Sequence, residues 1–259
     1  MTTRDHAPAG APCWVDLWTS DVEGSRRFYP DLFGWEALAP SPEFGGYFMF
    51  ARDGVPVAGG MGPMPDTPAD DRWRVYLASD DITKTVELAE REGANLISPI
   101  MDVADLGRQA VLLDPSGAKV GTWQPGTFPG FTVLGEHGAP SWFELHTRDH
   151  GPTVAFYRTV FGWETQVEGD TDEFRYTTVR DPEGAGLVAG VMDATPFLPA
   201  GEPPSWYVYW EVDDVEASAA RAVELGGTVV SGCEATPYGD LAQLADPAGA
   251  RFNLRRSPR

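Results

Sequence analysis

The chain has 259 residues, 42% hydrophobic and 22% charged, a balance that suits a folded protein with room for two cores. A formal net charge of −20 repels phosphate backbones and excludes nucleic acid as an expected partner, and no stretch of sequence forms a local basic patch for a polyanion. No run approaches the ~18 apolar residues of a membrane helix. The N-terminal residues carry no apolar stretch of a secretory signal, and Cys13 and Cys233 fall in different halves with no CxxC. The expectation is therefore a reducing cytoplasm, no disulfide and no thiolate zinc site, with both cysteines as small buried residues.

Residues 1–11 read as a tail. Trp14 to Thr19 then alternates with the period of a strand, and Asp21 stands as the N-cap of a helix over Glu23 to Phe33 that Gly34 stops. Strand-like runs follow at Tyr47–Ala51 and Val55–Gly60, with Gly45-Gly46 and Gly59-Gly60 read as turns or strand bends. After a second strand at Trp73–Tyr76, Asp81 caps a helix over Ile82–Glu92. Runs at Ala110–Leu113 and Lys119–Trp123 flank an Asp114-Pro115-Ser116-Gly117 hairpin turn. Residues 126–140 are rich in glycine and proline and read as a linker between domains at 12–125 and 141–256.

The second domain repeats the first. Residues Trp14 to Glu36 align without a gap to Trp142 to Glu164, and ten of the 23 positions are identical. Trp73-Arg74-Val75-Tyr76 matches Trp206-Tyr207-Val208-Tyr209, Asp214 caps a helix over Val215–Leu225 as Asp81 does, and Asp246-Pro247-Ala248-Gly249 repeats the hairpin turn. Asp149 stands where Asp21 does, as an N-cap. The chain is thus four related units in the order A-B-A′-B′.

A strand–helix–strands unit used twice per domain, with Asp21…Phe28-Tyr29…Phe33-Gly34-Trp35, Asp81-Ile82…Gly93 and Asp114-Pro115-Ser116-Gly117, resembles the vicinal-oxygen-chelate superfamily of glyoxalases, bleomycin-resistance proteins and extradiol dioxygenases. The chain is also similar to two-domain actinobacterial glyoxalase-like proteins found near antibiotic gene clusters, including those for anthracyclines. The resemblance implies an α+β fold: tandem vicinal-oxygen-chelate domains, each of two βαβββ units whose sheet forms an open cup with helices outside. It also implies a ligand, and in many members a divalent metal, inside the cup.

In metal-using members a His or Gln opens the first strand of a unit and a Glu lies in the last. The matching positions here are Trp14, Arg74, Trp142 and Tyr207, then Gly121 and Asn253. None of the first four is a usual ligand, Gly offers no side chain and Asn binds weakly, so no cofactor is expected. One remnant stands against this. Alternate strand residues share a face, so Glu144 and His146, with Glu211 from a neighbouring strand, form a candidate acid–base group or an unorthodox site for Fe, Mn, Ni or Zn in domain 2.

Both cups carry aromatic walls. Trp14, Trp18, Tyr76 and Trp123, with Asp16 and Arg74, face one; Trp142, Tyr207 and Tyr209, with Asn253, face the other. Such walls suit a flat, largely apolar ligand, although the same side chains would also serve as core; Trp35 and Trp163 read as core. The expected function is binding of an aromatic or polyketide-like natural product, for tailoring or self-resistance. The alternatives are a glyoxalase-type lyase or isomerase and a metal-dependent oxygenase using domain 2, with a non-enzymatic interaction protein behind them. The expected partner is a small aromatic or carbonyl-containing molecule, and the protein is a monomer or homodimer.

Overall fold

The computed structural model describes residues 2–65, 67–181 and 186–258. Met1 of the expected tail, and positions 66 and 182–185 within the two halves, lie outside them. In the first half, β2 (Pro12–Trp18), α1 (Val22–Phe33), β3 (Glu36–Ala37), β4 (Phe48–Arg52) and β5 (Val55–Met61) make one unit. The next unit is β6 (Arg72–Ala78), α2 (Ile82–Arg91), β7 (Asn95–Val103), β8 (Gly107–Leu113) and β9 (Lys119–Pro125). The second half repeats both: β11 (Pro140–Thr147), α3 (His150–Phe161), β12 (Thr165–Asp170), β13 (Arg175–Arg180) and β14 (Leu187–Asp193), then β15 (Ser205–Glu211), α4 (Val215–Glu224), β16 (Thr228–Thr236), β17 (Gly239–Ala245) and β18 (Arg251–Arg256). Short β1 (Thr2–Thr3) and β10 (Val133–Leu134) pair with each other, tying the tail to the linker.

Each half forms one open eight-stranded sheet, β3-β4-β5-β2-β6-β9-β8-β7 and β12-β13-β14-β11-β15-β18-β17-β16. The units meet where β2 pairs antiparallel with β6, and β11 with β15. Inside each unit the last strand returns parallel to the first, as in β2/β5 and β6/β9, because a helical crossover feeds it back beside its origin. This is the βαβββ pattern that the resemblance implied.

Capping explains three helix starts and one exception. Asp21, Asp81 and Asp214 each accept a backbone N–H three residues on, at 2.8, 3.2 and 2.9 Å. Asp149 occupies the same place but its side chain caps nothing. The residue three positions on is Pro152, which has no N–H to offer. Gly34 and Gly162 end α1 and α3 in the left-handed region, at φ 72° and 68°. Gly59 and Gly60, expected as bends, lie within β5; a Cβ on either would overlap the side chain of Tyr47 or Phe48, so they clear the crossing of aromatic rings. Of the two cysteines, Cys13 is buried, and burial pushes its thiol pKa up to about 12. Cys233 is exposed on the edge strand β16, against expectation, because no element covers that edge.

The two halves share one continuous apolar core. Trp210 of β15 packs edge-on against Trp35 and Trp73 of the first half, with centroids 4.9 and 5.3 Å apart. A matched pair of polar relays crosses this core. Trp73 Nε1 donates to the Tyr29 hydroxyl, which donates to Asp246 Oδ2 in the other half at 3.0 Å. Trp206 Nε1 donates to the Tyr157 hydroxyl, which donates to Asp114 Oδ2 at 2.9 Å. Trp35 and Trp163 bond across the same boundary, to the carbonyls of Gly138 and Gly10. No helix among the described residues is long and apolar enough to cross a membrane.

Tyr29→Phe and Tyr157→Phe should each lower the unfolding free energy by about 1.5–3 kcal/mol, the range for a buried hydrogen bond to a charged group. Denaturant unfolding monitored by tryptophan fluorescence measures this, and losses under about 0.5 kcal/mol would mean the relays are not what holds the halves together.

Candidate functional site

The two cups are built around one buried carboxylate each, placed by the same strand pairing. In the first half Asp16 of β2 lies beside Gly59 of β5 and Arg74 of β6; in the second, Glu144 of β11 lies beside Gly190 and Tyr207. The glycines leave room for a tyrosine hydroxyl above the sheet, since a Cβ on Gly59 or Gly190 would overlap Tyr47 or Tyr176. Tyr47 therefore donates to Asp16 Oδ1 at 2.6 Å and Tyr176 to Glu144 Oε2 at 2.6 Å. Trp14 and Trp142 in turn donate Nε1 to those hydroxyls, at 2.7 and 3.0 Å. A second tyrosine closes the second clamp, Tyr209 donating to Glu144 Oε1 at 2.9 Å, and Tyr76 is its counterpart in the first half.

The aromatic cup residues thus do more than line walls. Trp14, Tyr76, Tyr207 and Tyr209 are buried and Trp142 is partly buried, and Trp14, Trp142 and Tyr209 bond within the two clamps. Tyr47 and Tyr176, absent from the expected site, are the central donors. Their signal was in the repeat: each is a tyrosine at the entry to the strand that pairs with the glycine-bearing β5 or β14.

The cups differ at one further position. In the second, His146 Nε2 lies 2.7 Å from Glu144 Oε1, and both residues are under 10% exposed. The imidazole rests on Tyr207, with centroids 4.5 Å apart, and meets the exposed Phe197 edge-on at 5.4 Å. Phe197 was not expected here; it comes from the loop after β14. In the first cup Trp18 replaces His146, and the Arg74 guanidinium lies 4.6 Å over its ring. Linker residue Phe128 packs edge-on against Trp14 at 4.9 Å and accepts a bond from Trp123 Nε1 through its carbonyl, so the linker covers that side of the first cup.

This difference reverses the electrostatics. Burial pushes the Asp16 carboxyl above its usual range, and the bond from Tyr47 and the nearby Tyr76 hydroxyl offset that in part. Burial would do the same to Glu144, but hydrogen bonding and charge from His146, with Tyr176 and Tyr209, outweigh it and hold the carboxyl below its usual range. An ionised Glu144 only accepts, so the bonding proton lies on His146 Nε2. The other ring nitrogen, Nδ1, has no hydrogen-bond partner among the described residues.

Glu211 is not part of this group. It binds the backbone N–H of Ser257 at 2.7 Å and the Ser257 hydroxyl at 2.9 Å, at the far end of β15. It shares the face of Tyr207 and Tyr209, but strand parity fixes a face and not a distance. Asn253 is buried beside Tyr209, and its amide Nδ2 has no hydrogen-bond partner among the described residues.

A metal does not fit either cup. The ring of Tyr76 covers Gly121, Asn253 offers an amide that is unpaired at Nδ2 among the described residues in place of a carboxylate, and Glu144 is surrounded by hydrogen donors. Among the described residues no three His, Cys, Asp or Glu side chains come together.

Residues 13–121 match the Glyoxalase/Bleomycin resistance protein/Dioxygenase superfamily, and residues 142–255 match a glyoxalase-like domain. The chain belongs to this glyoxalase, bleomycin-resistance and dioxygenase superfamily. It is 37% identical over 265 residues to the anthracycline biosynthesis protein DauV of Streptomyces sp. (strain C5), covering 95% of this chain and 92% of that one. The figures are the same for the anthracycline biosynthesis protein DnrV of Streptomyces peucetius, at 37% over 265 residues with 95% and 92% covered. Among solved structures, the Mn(II)-bound glyoxalase from Novosphingobium aromaticivorans superposes with a TM-score of 0.65 at 19% identity, covering 95% of this chain and 82% of that one. At that identity the likeness is one of fold.

Glu144→Gln and Asp16→Asn should tilt the pH dependence of stability in opposite directions. The lowered pKa of folded Glu144 means that its contribution is full above about pH 4.3 and is lost as pH falls through the folded value, so the wild type loses ground to Glu144→Gln on acidification. The raised pKa of folded Asp16 means that the wild type gains ground on Asp16→Asn as pH falls from the folded value toward about 3.9. Denaturant unfolding across the acidic range measures both differences, and parallel trends would contradict the contrast between the clamps.

Proposed function

We propose that this protein acts in secondary metabolism by binding a flat, oxygenated aromatic compound of the anthracycline class at the second cup, where His146, oriented by Glu144, exchanges a proton with a ligand hydroxyl. The observation that carries this reading is the 2.7 Å bond between His146 Nε2 and the buried Glu144 carboxyl, with Nδ1 free of any hydrogen-bond partner among the described residues and the ring between Tyr207 and Phe197. The similarity to two anthracycline biosynthesis proteins supports the substrate class, since an anthracycline is built on a flat fused-ring quinone bearing hydroxyls.

The roles divide by chemistry. Tyr207 and Phe197 offer ring faces and edges to a planar ligand. Glu144 fixes the imidazole tautomer and stabilises the ring when it takes up a proton. Tyr176 and Tyr209, themselves held by Trp142 and the sheet, keep Glu144 charged in a buried place. Proton transfer favours a tailoring role over simple sequestration for self-resistance. Four units in one chain supply both cups, so the reading requires no second subunit.

Alizarin, a hydroxyanthraquinone whose visible spectrum shifts when a phenol ionises, tests this directly. It should quench tryptophan fluorescence saturably and show a red-shifted spectrum when bound, with no change on adding a chelator. His146→Ala should bind within about fivefold of wild type but lose the red shift, a change of under about 1 kcal/mol in affinity. Absence of saturable binding, or a red shift that His146→Ala retains, would sink the proposal.

A further inference from the structure

Two cavities flank the place where β6 and β15 meet, and the internal repeat makes them mates. The larger, about 370 Å³, takes Arg72, Trp73 and Arg74 from β6 and Pro203, Pro204 and Trp206 from the second half. The smaller, about 190 Å³, takes the corresponding Ser205, Trp206 and Tyr207 from β15 and Asp70 and Asp71 from the first half. Arg72 bridges them through a 2.8 Å bond to the Ser205 hydroxyl. Each cavity is thus a control for the other. Asp70 and Arg72 line both; the larger adds Arg74, Lys119 and two prolines, and the smaller adds Tyr207, Asp71, Glu202 and Arg251.

The cations that line the larger cavity are not equivalent. Arg72 is paired with Glu202 at 2.7 Å, and Lys119 with Asp70 at 2.7 Å. Arg74 is 8% exposed, forms no ion pair among the described residues, and leaves its Nε–H without a partner. Trp18 beneath it and the nearby Asp16 carboxyl stabilise the guanidinium in part. A guanidinium cannot shed its proton, and a buried cation with an open N–H calls for an acceptor.

We propose that this larger interdomain cavity binds a small aromatic carboxylate, with the carboxylate on Arg74 and the ring against Trp73, Trp206 and the two prolines. Trp73, Leu113, Trp206 and the prolines give the cavity an apolar side that suits a ring, and its volume lies at the small end of the range for ligand pockets, about 300–1,000 Å³. The site lies apart from His146 and Glu144, and the inference does not rest on the function proposed for them.

Naphthoate and its uncharged isostere naphthamide distinguish the charge from the ring. Titrated into the intact protein by calorimetry, naphthoate should bind saturably, weaken with added salt, and bind about tenfold or more tighter than naphthamide. Arg74→Gln should remove that preference. Pro204→Trp, which fills the cavity and leaves Arg74 in place, should abolish naphthoate binding. No saturation with naphthoate, equal affinity for acid and amide in the wild type, or naphthoate affinity unchanged in either folded variant would overturn the proposal. The wild-type comparison decides even if Arg74→Gln fails to fold.

Discussion

The relation between the two halves depends on two reciprocal bonds, Tyr29 to Asp246 and Tyr157 to Asp114. Each aspartate works on both sides of the boundary. One oxygen of Asp114 accepts the N–H groups of Ser116 and Ala118 and so shapes its hairpin turn, while the other reaches the opposite half; Asp246 does the same with Ala248 and Ala250. Burial raises both carboxyls, and the tyrosine bonds counter that. A hydrogen bond buried in an apolar core is directional, so the pair sets the orientation of the halves as well as their contact. The cavities beside β6 and β15 exist at that orientation.

The cups show how little change is needed to give one scaffold two characters. The Trp–Tyr–carboxylate arrangement occurs in both, held by glycines at matching places in β5 and β14. For Asp16 burial outweighs both its neutral donors and the nearby Arg74 cation, so its carboxyl stays above the usual range. Exchanging Trp18 for its counterpart His146 adds a donor that can carry charge, and the second carboxylate then ionises readily. The first cup has instead recruited Arg74 over Trp18 and the linker residue Phe128.

Charge is distributed unevenly in this acidic chain. Its 19 Lys and Arg residues are spread along the chain apart from the C-terminal Arg255, Arg256 and Arg259, yet Arg72, Arg74 and Lys119 meet at one cavity. Adjacent parallel strands bring Arg74 and Lys119 together, and the second half supplies the apolar side. Two of these cations are paired locally, Arg72 with Glu202 and Lys119 with Asp70, while Arg74 forms no ion pair among the described residues.

The sequence by itself determined the four-unit repeat, the helix starts at Asp21, Asp81 and Asp214, and the superfamily. These follow from local periodicity, capping chemistry and residue identity. Strand parity also put Glu144 and His146 on one face. The same parity put Glu211 with Tyr207 and Tyr209, and there it misled, since Glu211 is bound to Ser257 beyond the cup. Asp149 misled because Pro152 withholds the N–H that a cap needs. Tertiary structure alone decided that Tyr47 and Tyr176 clasp the carboxylates, that Phe197 meets His146, and that Tyr29 and Tyr157 reach into the opposite halves. The physical reason is common to all of these. Periodicity reports which way a side chain leaves its own backbone, whereas a partner depends on which strands pair, in what register, and how the two sheets pack across residues far apart in the chain.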